Sequence, residues 1–131
     1  MNRKKLLVRL TSLIIVIFAL NYIAMKFYWY SSIWWFDMPM HLLGGFWVGL
    51  AVIYLLSLKE FNLSFILKVL IGVLFIGFFW EIFEILVDKN ISQNPFNTLD
   101  TVSDMFFDLA GGGLSIVYFL KRIVYKIENK I

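Results

Sequence analysis

The sequence predicts an all-α polytopic membrane protein with four transmembrane helices and both termini in the cytoplasm. Three observations predict it. First, 61% of its residues are hydrophobic and 16% charged, against roughly 45–50% apolar and about 25% charged in soluble domains. Second, four apolar segments of about 20 residues or a little more follow one another. Each is long enough to cross a hydrocarbon core of roughly 30 Å at about 1.5 Å per residue. Third, the lysines and arginines gather on one side of the threading those segments imply. The 131 residues fit one domain, residues 1–131, with no soluble part.

The first segment covers residues 6–27 and is interrupted by Arg9 and Asn21, with Lys26 at its end. Arg3, Lys4 and Lys5 before it resemble the n-region of a signal peptide. Its apolar stretch is too long for a signal h-region, however, and no A-x-A site follows. It reads as an uncleaved first span. The connection after it is aromatic: Phe27, Tyr28, Trp29, Tyr30, Trp34, Trp35 and Phe36. Such rings favour the membrane–water interface, so an interfacial belt or short interfacial helix is expected. A lid over a lipid-facing site is the sharper alternative.

The second segment, residues 38–58, contains no acid, lysine or arginine. The third, residues 65–87, carries Glu81 and Glu84 near its end. A polar connection over about 88–99 follows and reads as an outward loop, with Thr98 or Asp100 as a cap of the next helix. The fourth segment, residues 102–125, carries Asp104 and Asp108 near its start.

With four spans, the termini and the middle connection share one side. That side holds ten of the twelve basic residues; Lys26 and Lys89 are on the other. The positive-inside rule then puts both termini in the cytoplasm. The same asymmetry accounts for the pI near 9.2 as topology and contact with anionic lipid. Nucleic acid is not an expected partner, because the cations are dispersed and no nucleic-acid motif is present. The absence of cysteine excludes disulfides, thiolate zinc sites and cysteine nucleophiles.

Seven of the nine acids lie in the outward half: Asp37, Glu81, Glu84, Asp88, Asp100, Asp104 and Asp108. The single histidine, His41, is among them. A charge at the centre of a spanning helix costs roughly 2.5–3.5 kcal/mol on insertion scales. Residues three or four apart share a helix face. Asp37 and His41 open the second helix, Glu81 and Glu84 close the third, and Asp100, Asp104 and Asp108 open the fourth. All three sets fall at similar depth. Asp37, His41, Glu81, Glu84, Asp104 and Asp108 are therefore the candidate site.

Two physical solutions suit such a set. Carboxylates with one imidazole suit a divalent metal, Mg²⁺, Mn²⁺, Zn²⁺ or Fe²⁺, and four-helix bundles build metal sites from inward-facing acids. Alternatively, crowded carboxylates hold protons, because they cannot all ionise in low dielectric. The bland reading of Asp88 is solvation in the loop. For Asp37 and Asp100 it is N-capping or a favourable contact with the helix dipole. No lysine or arginine lies within the second, third or fourth span at this level, so a phosphate substrate would need a bridging metal. No serine nucleophile motif, phosphate loop or dinucleotide fingerprint is present. Gly45 with Gly49, and Gly111 with Ser115, have the small-xxx-small spacing of closely packed helices. That packing would hold the second and fourth helices together beside the acids.

The pattern Asp37-x-x-x-His41 with Gly44 and Gly45, Trp80-Glu81-x-x-Glu84, and Asp100-Thr101-x-x-Asp104-x-x-x-Asp108 followed by glycines resembles the YjdF-type inner-membrane family. It is more loosely similar to VanZ-like proteins, which tend to carry an amide near the position of Asp108. The resemblance spans residues 32–115 and implies a small polytopic membrane protein without an established reaction.

The expected function is an outward-facing intramembrane carboxylate–histidine site that binds a divalent metal and acts on a lipid or envelope-associated substrate. A proton-coupled carrier or relay, working as a homo-oligomer, is one alternative. A structural or regulatory membrane subunit is another.

Overall fold

The computed structural model describes residues 2–57 and 60–129. Leu58, the expected end of the second segment, and Lys59 and Lys130, two of the topology signals, lie outside the described residues. Among the described residues the chain is entirely helical: α1 (Arg3–Lys26), α2 (Trp29–Ser32), α3 (Asp37–Leu55), α4 (Leu63–Val87) and α5 (Thr98–Glu128). A π-helical turn, Asp88–Ser92, continues α4.

Three asparagines start α1, α4 and α5. Asn2, Asn62 and Asn97 accept hydrogen bonds from Lys4 N, Phe65 N, and both Leu99 N and Asp100 N, respectively. Each satisfies amides that have no partner within the helix. Two expectations are corrected here. α5 is capped by Asn97, so Thr98 and Asp100 are inside the helix. Asp37 is in the first turn of α3 behind Phe36, with no side-chain cap bond; its charge still meets the positive end of the helix dipole. The expected loop is also shorter, because the π turn occupies its first five residues. Asn90 Nδ2 donates to Leu86 O at 2.8 Å there.

The aromatic connection contains the short helix α2. It starts after Tyr28, whose φ of 57° lies in the left-handed region. Phe36 is buried and packs edge-on against Trp29 and Tyr30, with ring centroids 5.5 and 5.0 Å away.

α3 and α5 run in the same direction, with α4 antiparallel to both. α3 and α5 make the most extensive helix contact, and small residues explain why. A Cβ on Gly45 would collide with the Asp108 carbonyl, and one on Gly111 with the Leu42 carbonyl. A Cβ on Gly49 would meet the Ser115 side chain. Backbone approach of this kind is what small-residue stripes permit between membrane helices. Gly44 and Gly113 face open space, so they play no such part.

Each core helix has one buried stripe with a repeated order. On α3 it runs His41, Gly45, Gly49, Ile53. On α4, read from its end, it runs Glu81, Gly77, Val73, Val69, Phe65. On α5 it runs Asp104, Asp108, Gly111, Gly112, Ser115, Ile116, Phe119. The bundle therefore has an ionisable layer, a glycine layer and an apolar layer. The apolar layer is completed by Leu6 and Leu10 of α1. Phe65 and Phe119 stack there with centroids 5.2 Å apart.

The end beyond that layer is basic. Arg3 donates to Ser57 Oγ at 2.5 Å and lies over the Tyr54 ring. Arg9 donates to the Tyr118 hydroxyl, and Arg122 lies over the same ring. Among the described residues, three helices are long and apolar enough to cross a membrane: Arg3–Lys26, Asp37–Leu55 and the continuous Leu63–Ser92. α5 has the length, at 31 residues, but its acids and glycines lower its apolarity.

Candidate metal centre

His41 is one turn into α3 and buried. Its ring is flanked on both edges. Nδ1 is 3.0 Å from Asp108 Oδ1. Nε2 is 3.5 Å from Asp104 Oδ2 and 3.6 Å from Asp37 Oδ2. In the neutral ring, an ionised Asp108 favours the proton on Nδ1 and turns the Nε2 lone pair toward the other acids. A carboxylate that orients a histidine in this way is the usual partner of a metal-ligating imidazole. Asp108 is itself held from below: a Cβ on Gly77 would come within 2.8 Å of its Oδ2.

Glu81 ends the buried stripe of α4 and is 4% exposed, while Asp104 is 2% exposed. Glu81 Oε1 and Asp104 Oδ2 are buried and receive no hydrogen bond. A buried carboxylate oxygen without a donor is costly, and native structures contain few. Glu84 is half-buried and accepts from Trp80 Nε1 at 2.9 Å, one turn earlier on α4.

One ligand atom from each of His41, Glu81, Glu84 and Asp104 lies within 4.8 Å of all the others. Ligands on opposite sides of one ion, at bond lengths of about 2.0–2.6 Å, are about 4.0–5.2 Å apart. The four residues thus fit a single divalent ion. Asp37, Asp100 and Asp104 form a second group under the same 4.8 Å limit.

The structure brings all six sequence-derived candidates to one end of the bundle and divides them unevenly. His41, Glu81, Glu84 and Asp104 converge. Asp37 is at the mouth with its side chain 35% exposed. Asp108 stands behind His41 and belongs to neither group. Asp88 is also outside both groups and accepts from Asn94 Nδ2 at 3.5 Å.

Two neighbours were not legible as part of the site. Asp100, read as a cap, belongs to the second acidic group. Tyr30, read as part of an aromatic belt, donates its hydroxyl to Asn21 Oδ1 at 2.7 Å. Burial, with the nearby charges of Asp37 and Glu84, pushes its phenol up to about 12. It is therefore a neutral donor at physiological pH. No periodicity links residue 30 to the acids, because the link depends on the fold of the α1–α3 connection.

The sequence model of a family described as "Predicted membrane protein (DUF2238)" matches residues 1–124. The chain belongs to this family. It is the YjdF-type family that the motif pattern resembles. The match includes every residue of both acidic groups. No curated protein and no solved structure matches the chain. Membership in DUF2238 agrees with the apolar helices in describing a membrane protein.

Proposed function

We propose that this protein crosses the bilayer four times, with both termini cytoplasmic, and holds a divalent metal ion near the outward face. His41 Nε2, Glu81, Glu84 and Asp104 are the ligands. Asp108 is a positioning residue that fixes the His41 ring. Asp37 lies at the entrance.

One observation carries the metal reading: the undonated oxygens of Glu81 and Asp104 are buried among groups already at ligand spacing. A cation would satisfy both oxygens and offset the clustered negative charge. One imidazole with three carboxylates suits Mn²⁺, Fe²⁺ or Zn²⁺, and Mg²⁺ less well. A fourth span is supported by the exposed face of α5, where Leu99, Val102, Phe106, Leu114 and Val117 are apolar, while Asp104 and Asp108 within the span are buried. Both termini being cytoplasmic rests on the positive-inside rule, applied to a basic end that gathers Arg3, Arg9 and Arg122.

A metal at this depth would polarise a bound oxygen or lower the pKa of a bound water. The substrate class that fits is a lipid or envelope-associated molecule reaching the site from the outer leaflet. Elemental analysis of the protein purified in nanodiscs tests the metal reading. Wild type is expected to retain divalent metal, and Glu81→Ala to lose it while keeping its helical circular dichroism. A metal-free wild type, even after incubation with each candidate ion, overturns the reading.

A proton relay is the second reading, favoured by the three carboxylates within 3.0–3.6 Å of His41. Proton flux in proteoliposomes that disappears in Asp104→Asn would support it over the metal.

A further inference from the structure

We propose that the centre holds two divalent ions, with the Asp104 carboxylate bridging them. The proposal rests on the metal-binding reading above and adds a second ion to it. The inner ion is held by His41, Glu81, Glu84 and Asp104. The outer ion is held by Asp37, Asp100 and Asp104.

Asp104 is the one residue common to both ligand-spaced groups. It is also among the most deeply buried polar side chains, 2% exposed, and its Oδ2 receives no hydrogen bond. A carboxylate has two oxygens and can give one to each of two ions. Paired ions in such centres are about 3.5–4 Å apart, the separation one bridging carboxylate spans.

Charge points the same way. Asp37, Glu81, Glu84, Asp100, Asp104 and Asp108 surround the only histidine in the chain. One divalent ion would leave a net charge of about −4 on these ionised carboxylates, and two would leave about −2. Each uncompensated charge costs more where water is scarce.

The two groups also differ in kind. The inner set has an imidazole, and three of its members are buried or nearly so. The outer set is all oxygen, with Asp37 half-buried and Asp100 exposed. All-oxygen sets suit Mg²⁺ or Mn²⁺, which keep water ligands when the protein supplies few. The outer ion would therefore retain open positions facing the mouth. Asp100 and Asp104 are one turn apart on α5, and Asp37 opens α3, so the backbone already fixes the three on one side of the site.

Mn²⁺ binding to the full chain in nanodiscs tests this, read by elemental analysis and electron paramagnetic resonance. Wild type is expected to bind two Mn²⁺ with an exchange-coupled spectrum. Asp100→Asn should bind one, with an uncoupled six-line signal; Asp37→Asn is the second variant with the same expectation. Asp100 is exposed, so its amide should leave the thermal unfolding of the apo protein unchanged. One uncoupled Mn²⁺ in wild type overturns the second ion and leaves the single-ion reading standing. Two uncoupled ions unaffected by Asp100→Asn place the second ion elsewhere and overturn the bridge. No bound Mn²⁺ or other divalent metal in wild type overturns both readings.

Discussion

The two ends of the bundle bury their side chains for opposite reasons. At the basic end, Ile53, Phe65, Val69 and Phe119 fill the space between α3, α4 and α5. Each gains contact and loses nothing polar. At the acidic end, His41, Glu81, Asp104 and Asp108 occupy the same stripes and are costly to bury unless something compensates them. One set of helix faces therefore carries a self-sufficient half and a half whose buried polar groups need compensation. The glycine layer between them lets both halves share one backbone geometry.

The strongest way to break this contrast is to disrupt that shared layer. Gly45→Val puts a side chain against the Asp108 carbonyl, where the backbone cannot yield cheaply. Overpacking costs typically about 1–3 kcal/mol, occasionally more, and this contact falls at or above the upper end. Loss of the thermal transition and of metal binding together is the expected result. Wild-type stability in this variant would show that α3 and α5 do not need close approach.

Phe65→Ala should separate the halves from the other side. Removing a buried phenylalanine costs about 3–5 kcal/mol in soluble cores; lipid can solvate the exposed faces, so about 2–4 kcal/mol is expected. Metal affinity should change little, because Phe65 lies at the opposite end of α4 from Glu81. A tenfold or larger loss of affinity, measured by competition with a chelating dye, would show the halves to be coupled.

Asp108→Asn keeps the shape and removes the charge behind His41. Changes to such orienting partners typically cost about 10–100-fold in metal affinity, and that is the expectation here with the unfolding temperature of the apo protein little changed. Unchanged affinity would make Asp108 a packing residue. Asp88→Asn is the smallest change: metal affinity and thermal stability should both match wild type, since Asp88 lies outside both ligand groups.

Much of the acidic end was legible from spacing alone. Pairs three or four apart, on three segments whose ends meet, predict convergence without any tertiary information. The different tasks of Asp100, Asp104 and Asp108 were not legible, and helix geometry explains why. At 3.6 residues per turn, each step of four advances about 40° around the axis. The three aspartates therefore fan out across α5 rather than stacking. Asp100 reaches the mouth, Asp104 the centre, and Asp108 the far edge of His41. Which of them faces which neighbour depends on the rotation of α5, set by Gly111 against Leu42 and Gly45. Spacing shows that those glycines pack and leaves the angle open. The caps were missed more simply: three asparagines start helices three to five positions before the apolar runs become obvious.

The contact between His41 and Asp108 also sets an order of events. The two residues are 67 positions apart in the chain. At synthesis rates of about 5–20 residues per second, the ribosome needs roughly 3–13 s to travel from one codon to the other. α3 therefore emerges with Asp37 as the only acid beside its histidine, and α4 follows with two glutamates before α5 arrives. The site is then among the last parts of the protein to be completed during biosynthesis, when α5 delivers the aspartates that the waiting histidine and glutamates were placed to meet.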